Sequence, residues 1–168
     1  GSFSGLYNLK NIINKYKEPV LVSSIDGVGT KNLLLYKNLG LKGLEINGFD
    51  SVANNINDIL VMNALPLFFL DYIGTSNVKS KEICSILKGI SIACKKSNIP
   101  IIGGEISEMK DTYKDGAFDI LGCVIGIVEK NKIINGKKNI EENDYVIAFS
   151  SESCHTNGYS FIRKILEK

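Results

Sequence analysis

At 168 residues, 44% of them apolar, the chain has enough material for one domain with a buried core. Its net charge is +2 and Arg163 is the only arginine among 20 basic residues. That argues against nucleic-acid binding, which draws on clustered basic residues and base-reading arginines. The 4 cysteines (Cys84, Cys94, Cys123, Cys154) form no C-x-x-C pair and read as reduced thiols of a cytoplasmic protein. No apolar run reaches the ~20 residues of a membrane span; the best, Leu65–Ile73, is short and holds Asp71. No signal peptide is visible, although the chain opens without methionine, so a lost targeting segment stays open.

Residues 6–18 place Leu6, Leu9, Ile12, Ile13 and Tyr16 at helix-like spacing before Pro19. Val20-Leu21-Val22 then reads as a short buried strand leading into Ser23-Ser24-Ile25-Asp26-Gly27-Val28-Gly29-Thr30-Lys31. The glycines let backbone amides approach a ligand closely, and successive exposed amides make an anion-binding concavity. Lys31 adds positive charge, Thr30 a hydroxyl and Asp26 a hard oxygen ligand for a cation. An Asp-Gly turn after a strand is also ordinary turn chemistry. A short helix over Asn32–Leu39 follows, then a longer one from about Leu44 to Asn63.

In that longer helix Phe49, Val52, Ala53, Ile56 and Leu60 share one face, while Asp50, Asn54, Asn57 and Asp58 lie opposite. Short acid and amide side chains are poorer helix formers than Lys or Glu, which favours a ligand role for part of that face. Asn54 and Asn55 are taken as surface residues. Leu65–Ile73 reads as a strand buried on both faces, with Asp71 expensive there unless paired or bound to a metal. Ser80–Lys96 is an amphipathic helix, and Ile99–Ile102 a strand ending in Gly103-Gly104-Glu105. Residues 106–116 lack periodicity and look like a functional loop. Phe118–Val128 is a long strand, Asn135-Gly136 a turn, Asp144–Ser150 another strand, and Ser160–Glu167 a closing amphipathic helix.

Asp26, Asp58, Asp71 and Glu105 stand near element ends. If they converge they would hold Mg²⁺, which takes oxygen ligands and bridges substrate phosphates; scattered acids are the competing reading.

Ser24-Ile-Asp-Gly-Val-Gly-Thr-Lys31, Asn57-Asp58, Ala64–Tyr72, Gly103-Gly-Glu105 with Glu108, Met109 and Tyr113, and His155-Thr-Asn-Gly-Tyr-Ser160 closely resemble the aminoimidazole ribonucleotide synthetase family, the cyclo-ligases of purine synthesis. The likeness runs in order from Gly1-Ser-Phe-Ser-Gly5 to Arg163-Lys-Ile-Leu166. It implies an α+β fold: a mixed β-sheet flanked by helices on one side, which pairs with a second copy to close a β-barrel across a homodimer. It implies ATP-dependent closure of formylglycinamidine ribonucleotide to aminoimidazole ribonucleotide, with ADP and phosphate released. Gly27, Gly29, Thr30 and Lys31 match the family's phosphate-facing loop. Asp26, Asp58 and Asp71 match its Mg²⁺-binding acids, with Asn57, Gly103, Gly104 and Glu105 completing the nucleotide site. Lys31, Asp71 and His155 are the candidate catalytic groups; His155 and Asn157 match a segment at the substrate side. A lone histidine is more often structural. Thiamine-monophosphate kinase, selenophosphate synthetase and a non-catalytic dimerisation module are the alternatives.

The resemblance also sets expectations about organisation. Residues 1–152 would form the ATP-binding and dimerisation domain, and 153–168 the start of a second. The family's N-terminal arm and C-terminal domain have no counterpart in the sequence, so the chain alone is expected to be inactive. The family's Gly-Pro before the histidine reads Ser153-Cys154, and Asn63 stands at a usual glycine. A lysine at a helix start opposes the macrodipole, so ligand-free stability is expected to hold or rise on Lys31→Ala.

Overall fold

The computed structural model describes residues 3–151 and 153–166. Along the chain run α1 (Lys10–Ile13), β1 (Pro19–Gly27), α2 (Lys31–Leu39), α3 (Leu41–Leu60), β2 (Leu65–Thr75), α4 (Ser80–Lys96), β3 (Ile101–Glu108), β4 (Phe118–Glu129), α5 (Gly136–Asn139) and α6 (Tyr159–Leu166). The strands make one sheet in the order β1-β4-β2-β3. β4 runs antiparallel to both β1 and β2, while β2 and β3 are parallel. A parallel pair needs a crossover, and α4 supplies it.

Helices α3 and α4 cover one face. Alternate residues of the central strands point into them: Phe69 and Ile73 from β2, Ile120 and Val124 from β4, all fully buried. Leu44, Val52 and Ile59 of α3 meet Ile86 and Ile90 of α4 in the same cluster. The two helices cross at glycines. A Cβ on Gly48 would lie 2.1 Å from the Ile86 carbonyl oxygen, and one on Gly89 1.8 Å from that of Glu45. Side-chain-free backbone is what lets this two-helix layer lie flat on the sheet.

The mixed sheet with helices on one side agrees with the α+β expectation, and α4 occupies the anticipated span. Other boundaries shift. Helix α3 ends at Leu60, and Asn63 takes the left-handed conformation at φ 62°. Its buried stripe is rotated from the expected one, since Ile59 is buried and Leu60 is 50% exposed. The rotation carries Asn47, Ser51 and Asn55 inward, where helix and strand carbonyls accept their hydrogen bonds. Strand β3 continues through Gly103-Gly104-Glu105 to Glu108, so Glu105 lies inside a strand and not at its end. Asp71 likewise sits mid-strand.

The strand expected over Asp144–Ser150 is absent. No described strand lies beside it, and Tyr145 and Phe149 are more than nine-tenths exposed. Alternating apolar residues make a strand only when a ladder partner satisfies their backbone. The closing helix starts at Tyr159, and its expected last residue, Glu167, lies outside the described residues, as do Gly1, Ser2, Glu152 and Lys168.

Among the described residues no long helix covers the second sheet face. Leu21, Ile25 and Leu65 are 62%, 73% and 58% exposed, and Phe68, Leu70, Tyr72, Leu121 and Ile125 are half-buried. Residues near the N-terminus cross part of this face, with the Tyr7 and Phe68 rings 5.0 Å apart.

Candidate functional site

Where β1 ends, the chain turns sharply into α2. Gly27 still pairs with Leu121 of β4, Val28 is buried with its amide donating to the Ile120 carbonyl, and Gly29 takes φ 60°. The Gly27 amide donates to the Asp26 carboxylate at 2.7 Å. Among the described residues nothing accepts from the amides of Gly29, Thr30 or Lys31. These donors stand at the N-terminus of a nine-residue helix, where the dipole adds positive potential.

Helix α3 packs along this loop, and successive turns each present one polar side chain to it. Asp50 meets the Lys31 ammonium at 2.7 Å. Asn54 donates to Asp26 Oδ2 at 2.6 Å. Asp58 accepts the Ser24 hydroxyl at 2.7 Å. The spacing i, i+4, i+8 places all three on one stripe. Behind them Asn55 donates to the backbone carbonyl of Asp26. Asn55, expected at the surface, is wholly buried, and Asn54, expected there too, is half-buried. The four-residue repeat of Asp50, Asn54 and Asp58 was the signal for Asn54, while nothing in the pattern set Asn55 apart.

Lys31 is more enclosed than a helix-start lysine would be. Its side chain is 8% exposed, its ammonium donates to the His155 carbonyl at 2.8 Å and lies 5.2 Å from the Tyr159 ring centroid. The Asp50 contact is one of charge: Asp50 Oδ2 is fully buried and receives no well-aligned hydrogen bond. The segment after residue 153 thus folds back over the loop. Thr156 donates to Asn54 Oδ1 at 3.0 Å, and the Thr30 and Ser160 hydroxyls are 3.3 Å apart. Between this segment and α3 lies a 220 Å³ cleft lined by Lys31, Asp50, Asn54, Asn57, His155 and Thr156 among others. The His155 side chain is exposed, with Nε2 3.0 Å from the Ser151 hydroxyl. A larger hollow of 510 Å³, at the opposite end of the sheet beside Lys15, Lys17 and Lys132, contains none of the candidate residues.

The expected acids are only partly gathered. Asp26, Gly122, Asp71 and Gly104 form one row across β1, β4, β2 and β3. Asp26 and Asp71 therefore stand two strand spacings apart, about 10 Å between Cα atoms. Both face the helices, with Gly122 between them. Asp58 sits over Ser24, two residues back along β1. Burial pushes the Asp71 carboxyl above its usual range. Gly104 leaves room for that carboxylate: a Cβ there would fall 1.9 Å from Asp71 Oδ1. Glu105 is not with them. It pairs with Tyr72, so it projects from the open sheet face, and its carboxylate accepts its neighbour's amide at 2.9 Å. Gly103, paired with Leu70, also faces that side. Among the described residues no three His, Cys, Asp or Glu side chains gather as a metal-holding group.

Still, the carboxylates present suit a divalent cation. Each Asp26 oxygen accepts one hydrogen bond and keeps lone pairs for an ion. Asp71 is an acid in a desolvated place, and no described cationic side chain is paired with it. A hard cation with oxygen ligands would complement both.

A family model described as AIR synthase related protein, N-terminal domain, matches residues 11–128. The chain is 46% identical over 167 residues to a phosphoribosylformylglycinamidine cyclo-ligase of Clostridium botulinum (strain Langeland), covering 99% of this chain and 48% of that protein. It thus spans about half the length of the curated relatives it matches. Among solved structures, the hydrogenase maturation protein HypE of E. coli superposes with a TM-score of 0.60 at 10% identity, covering 84% of this chain and 42% of that one. AaThiL complexed with AMPPCP and TMP gives 0.50 at 17% identity, covering 66% and 32%. At such identities the structural likeness speaks to the fold.

Proposed function

Since this chain belongs to the AIR synthase related protein family, whose N-terminal domain it carries, we propose that it is the nucleotide-binding part of an ATP-dependent cyclo-ligase of purine synthesis. The observation that carries this reading is the match to cyclo-ligases over 99% of the chain, against partial, low-identity likenesses to other members of the fold. The reaction would convert formylglycinamidine ribonucleotide to aminoimidazole ribonucleotide. ATP would activate the formyl oxygen by phosphorylation, and the amine would close the ring with loss of phosphate. Catalysis of this type is mostly positioning and charge neutralisation.

In that reading the unpartnered amides of Gly29, Thr30 and Lys31 receive phosphate oxygens. Gly27 keeps β1 in register up to the turn, and Lys31 supplies the charge. Asp26 and Asp71, with Asp58 nearby, hold Mg²⁺, which neutralises phosphate charge when bound. Asn57, lining the cleft, contacts the nucleotide. Glu105 and Gly103, being on the other sheet face, serve the nucleotide only from a partner's side or after rearrangement. His155 and Asn157 belong to the substrate side. Residues 1–152 act as the ATP-binding and dimerisation domain, and those from 153 onward lead into a second one. A homodimer closing a barrel through the open sheet face, and a cytoplasmic location, complete the proposal. Among the described residues no helix is long and apolar enough to cross a membrane.

The test is turnover by the full-length protein. With formylglycinamidine ribonucleotide, ATP and Mg²⁺ it should release ADP and phosphate in step with aminoimidazole ribonucleotide. ATP consumption with thiamine monophosphate, and none with the ribonucleotide, would replace the ligase by the kinase reading.

A further inference from the structure

Asn54 bonds the Asp26 carboxylate on one side and the segment after residue 153 on the other. Its Nδ2 donates to Asp26 Oδ2 at 2.6 Å, and its Oδ1 accepts from the Thr156 hydroxyl at 3.0 Å. An ionised carboxylate only accepts, so the amide nitrogen must face Asp26 and the amide oxygen must face Thr156. A flip would set the amide oxygen against the carboxylate and lose the bond to Asp26. The Gly27 amide fixes the other Asp26 oxygen, so Asn54 completes the orientation of that carboxylate. It does so from the helix turn between Asp50, which holds Lys31, and Asp58, which holds Ser24.

We propose that Asn54 is a positioning residue that couples the Asp26 carboxylate to the segment 154–160, so that a divalent cation at Asp26 and the seating of that segment over the glycine loop favour one another. The inference rests on the reading above for the cation, and on geometry alone for the coupling. Ordering Asp26 and ordering Thr156 use the same Asn54 rotamer. Whichever event comes first removes that ordering entropy from the second, which is positive cooperativity without a change of fold. Lys31 fastens the same segment through the His155 carbonyl and the Tyr159 ring. Loss of Asn54 therefore loosens the segment without releasing it.

Two cycles on the full-length protein test this. Without ligand, Asp26→Ala should speed amide hydrogen exchange in the peptide covering 153–160 about fivefold when Asn54 is present, and leave it unchanged in an Asn54→Leu background. With Mn²⁺ as the probe, Thr156→Val, which touches neither carboxylate nor phosphate, should weaken Mn²⁺ affinity about fivefold, again only while Asn54 is present. Thermal melts of Thr156→Val should match the parent, separating coupling from misfolding. Additive effects in both cycles would overturn the coupling even if the parent binds Mn²⁺ and turns over, leaving the function intact. A parent that takes up no Mn²⁺, with or without ATP, would overturn the metal assignment and the cation half of this inference, whatever the exchange data show.

Discussion

Lys31 shows how a single side chain can carry both stability and binding. Its charge is matched by Asp50 and its hydrogen bond is taken by the His155 carbonyl. The expectation that Lys31→Ala would leave ligand-free stability level or higher is therefore reversed: removing the ammonium strands Asp50, whose Oδ2 is buried. Breaking such a pair should lower stability by about 2 kcal/mol, less than a fully buried pair because Asp50 is 22% exposed. For the full-length enzyme, Lys31→Ala should also raise KM for ATP or lower kcat by about tenfold or more, roughly 1.4 kcal/mol. Urea unfolding and steady-state kinetics separate the two effects; kinetics within twofold of the parent would remove Lys31 from the phosphate site. Asp71 gives a prediction in pH. Desolvation raises its carboxyl above the unfolded value, so the folded state binds that proton more tightly. Its unfavourable contribution is absent below the unfolded pKa, grows as pH rises, and is complete above the folded one. Ligand-free Asp71→Asn should therefore be more stable than the parent at neutral pH and nearly equal to it in acid. Parallel pH profiles for the two proteins would contradict this origin.

At the scale of elements, the crossing of α3 on α4 depends on two glycines that no local pattern identifies as contacts. A methyl at Gly89 would meet the Glu45 carbonyl oxygen 1.8 Å away, backbone that cannot rotate aside. Gly89→Ala should therefore destabilise by about 2–3 kcal/mol despite its better helix propensity, whereas Ser91→Ala, on the exposed face of α4, should change stability by about 0.5 kcal/mol or less. Chemical denaturation of both variants checks the contrast. Helix α4 was legible because its apolar stripe and its ends agree with the period of the helix. The buried stripe of α3 lies one position away from its hydropathy pattern, because Asn47, Ser51 and Asn55 count as polar in any such pattern yet are buried, with backbone carbonyls taking their amide and hydroxyl donors. The glycine loop, Lys31 and the Asp residues stand out as candidates by residue type and spacing. Which sheet face each acid takes does not, since it depends on β2–β3 register, and this is why Glu105 lies away from Asp71. The strand over Asp144–Ser150 failed for a related reason. Its apolar alternation is a demand for a partner, and no described strand pairs with it.

For the molecule as a whole, the open sheet face is the unresolved demand. Helices cover one side of a four-stranded sheet whose first strand has nine residues. At strand and residue spacings of about 4.8 Å and 3.4 Å, the helix-free side measures roughly 19 Å by 30 Å, on the order of 600 Å², part of it crossed by residues near the N-terminus. A stable dimer buries about 800 Å² per partner, so face-to-face stacking alone falls somewhat short. The outer edge of β1 offers more, because in the order β1-β4-β2-β3 it has no neighbour on one side and presents unpaired backbone groups. Pairing edges while stacking faces is barrel closure, and it would bury Leu21 and Ile25, now 62% and 73% exposed. Each such side chain is worth about 1.5–3 kcal/mol when fully buried. The protein should therefore be a dimer at micromolar concentration by multi-angle light scattering. Ile25→Lys, on the open face and away from the glycine loop's helix side, should weaken that dimer about a hundredfold or more while the far-ultraviolet circular dichroism stays native. A well-folded parent that remains monomeric at those concentrations would rule the barrel out, and the exposed face would then need a cover from elsewhere in the full-length protein or from a different chain.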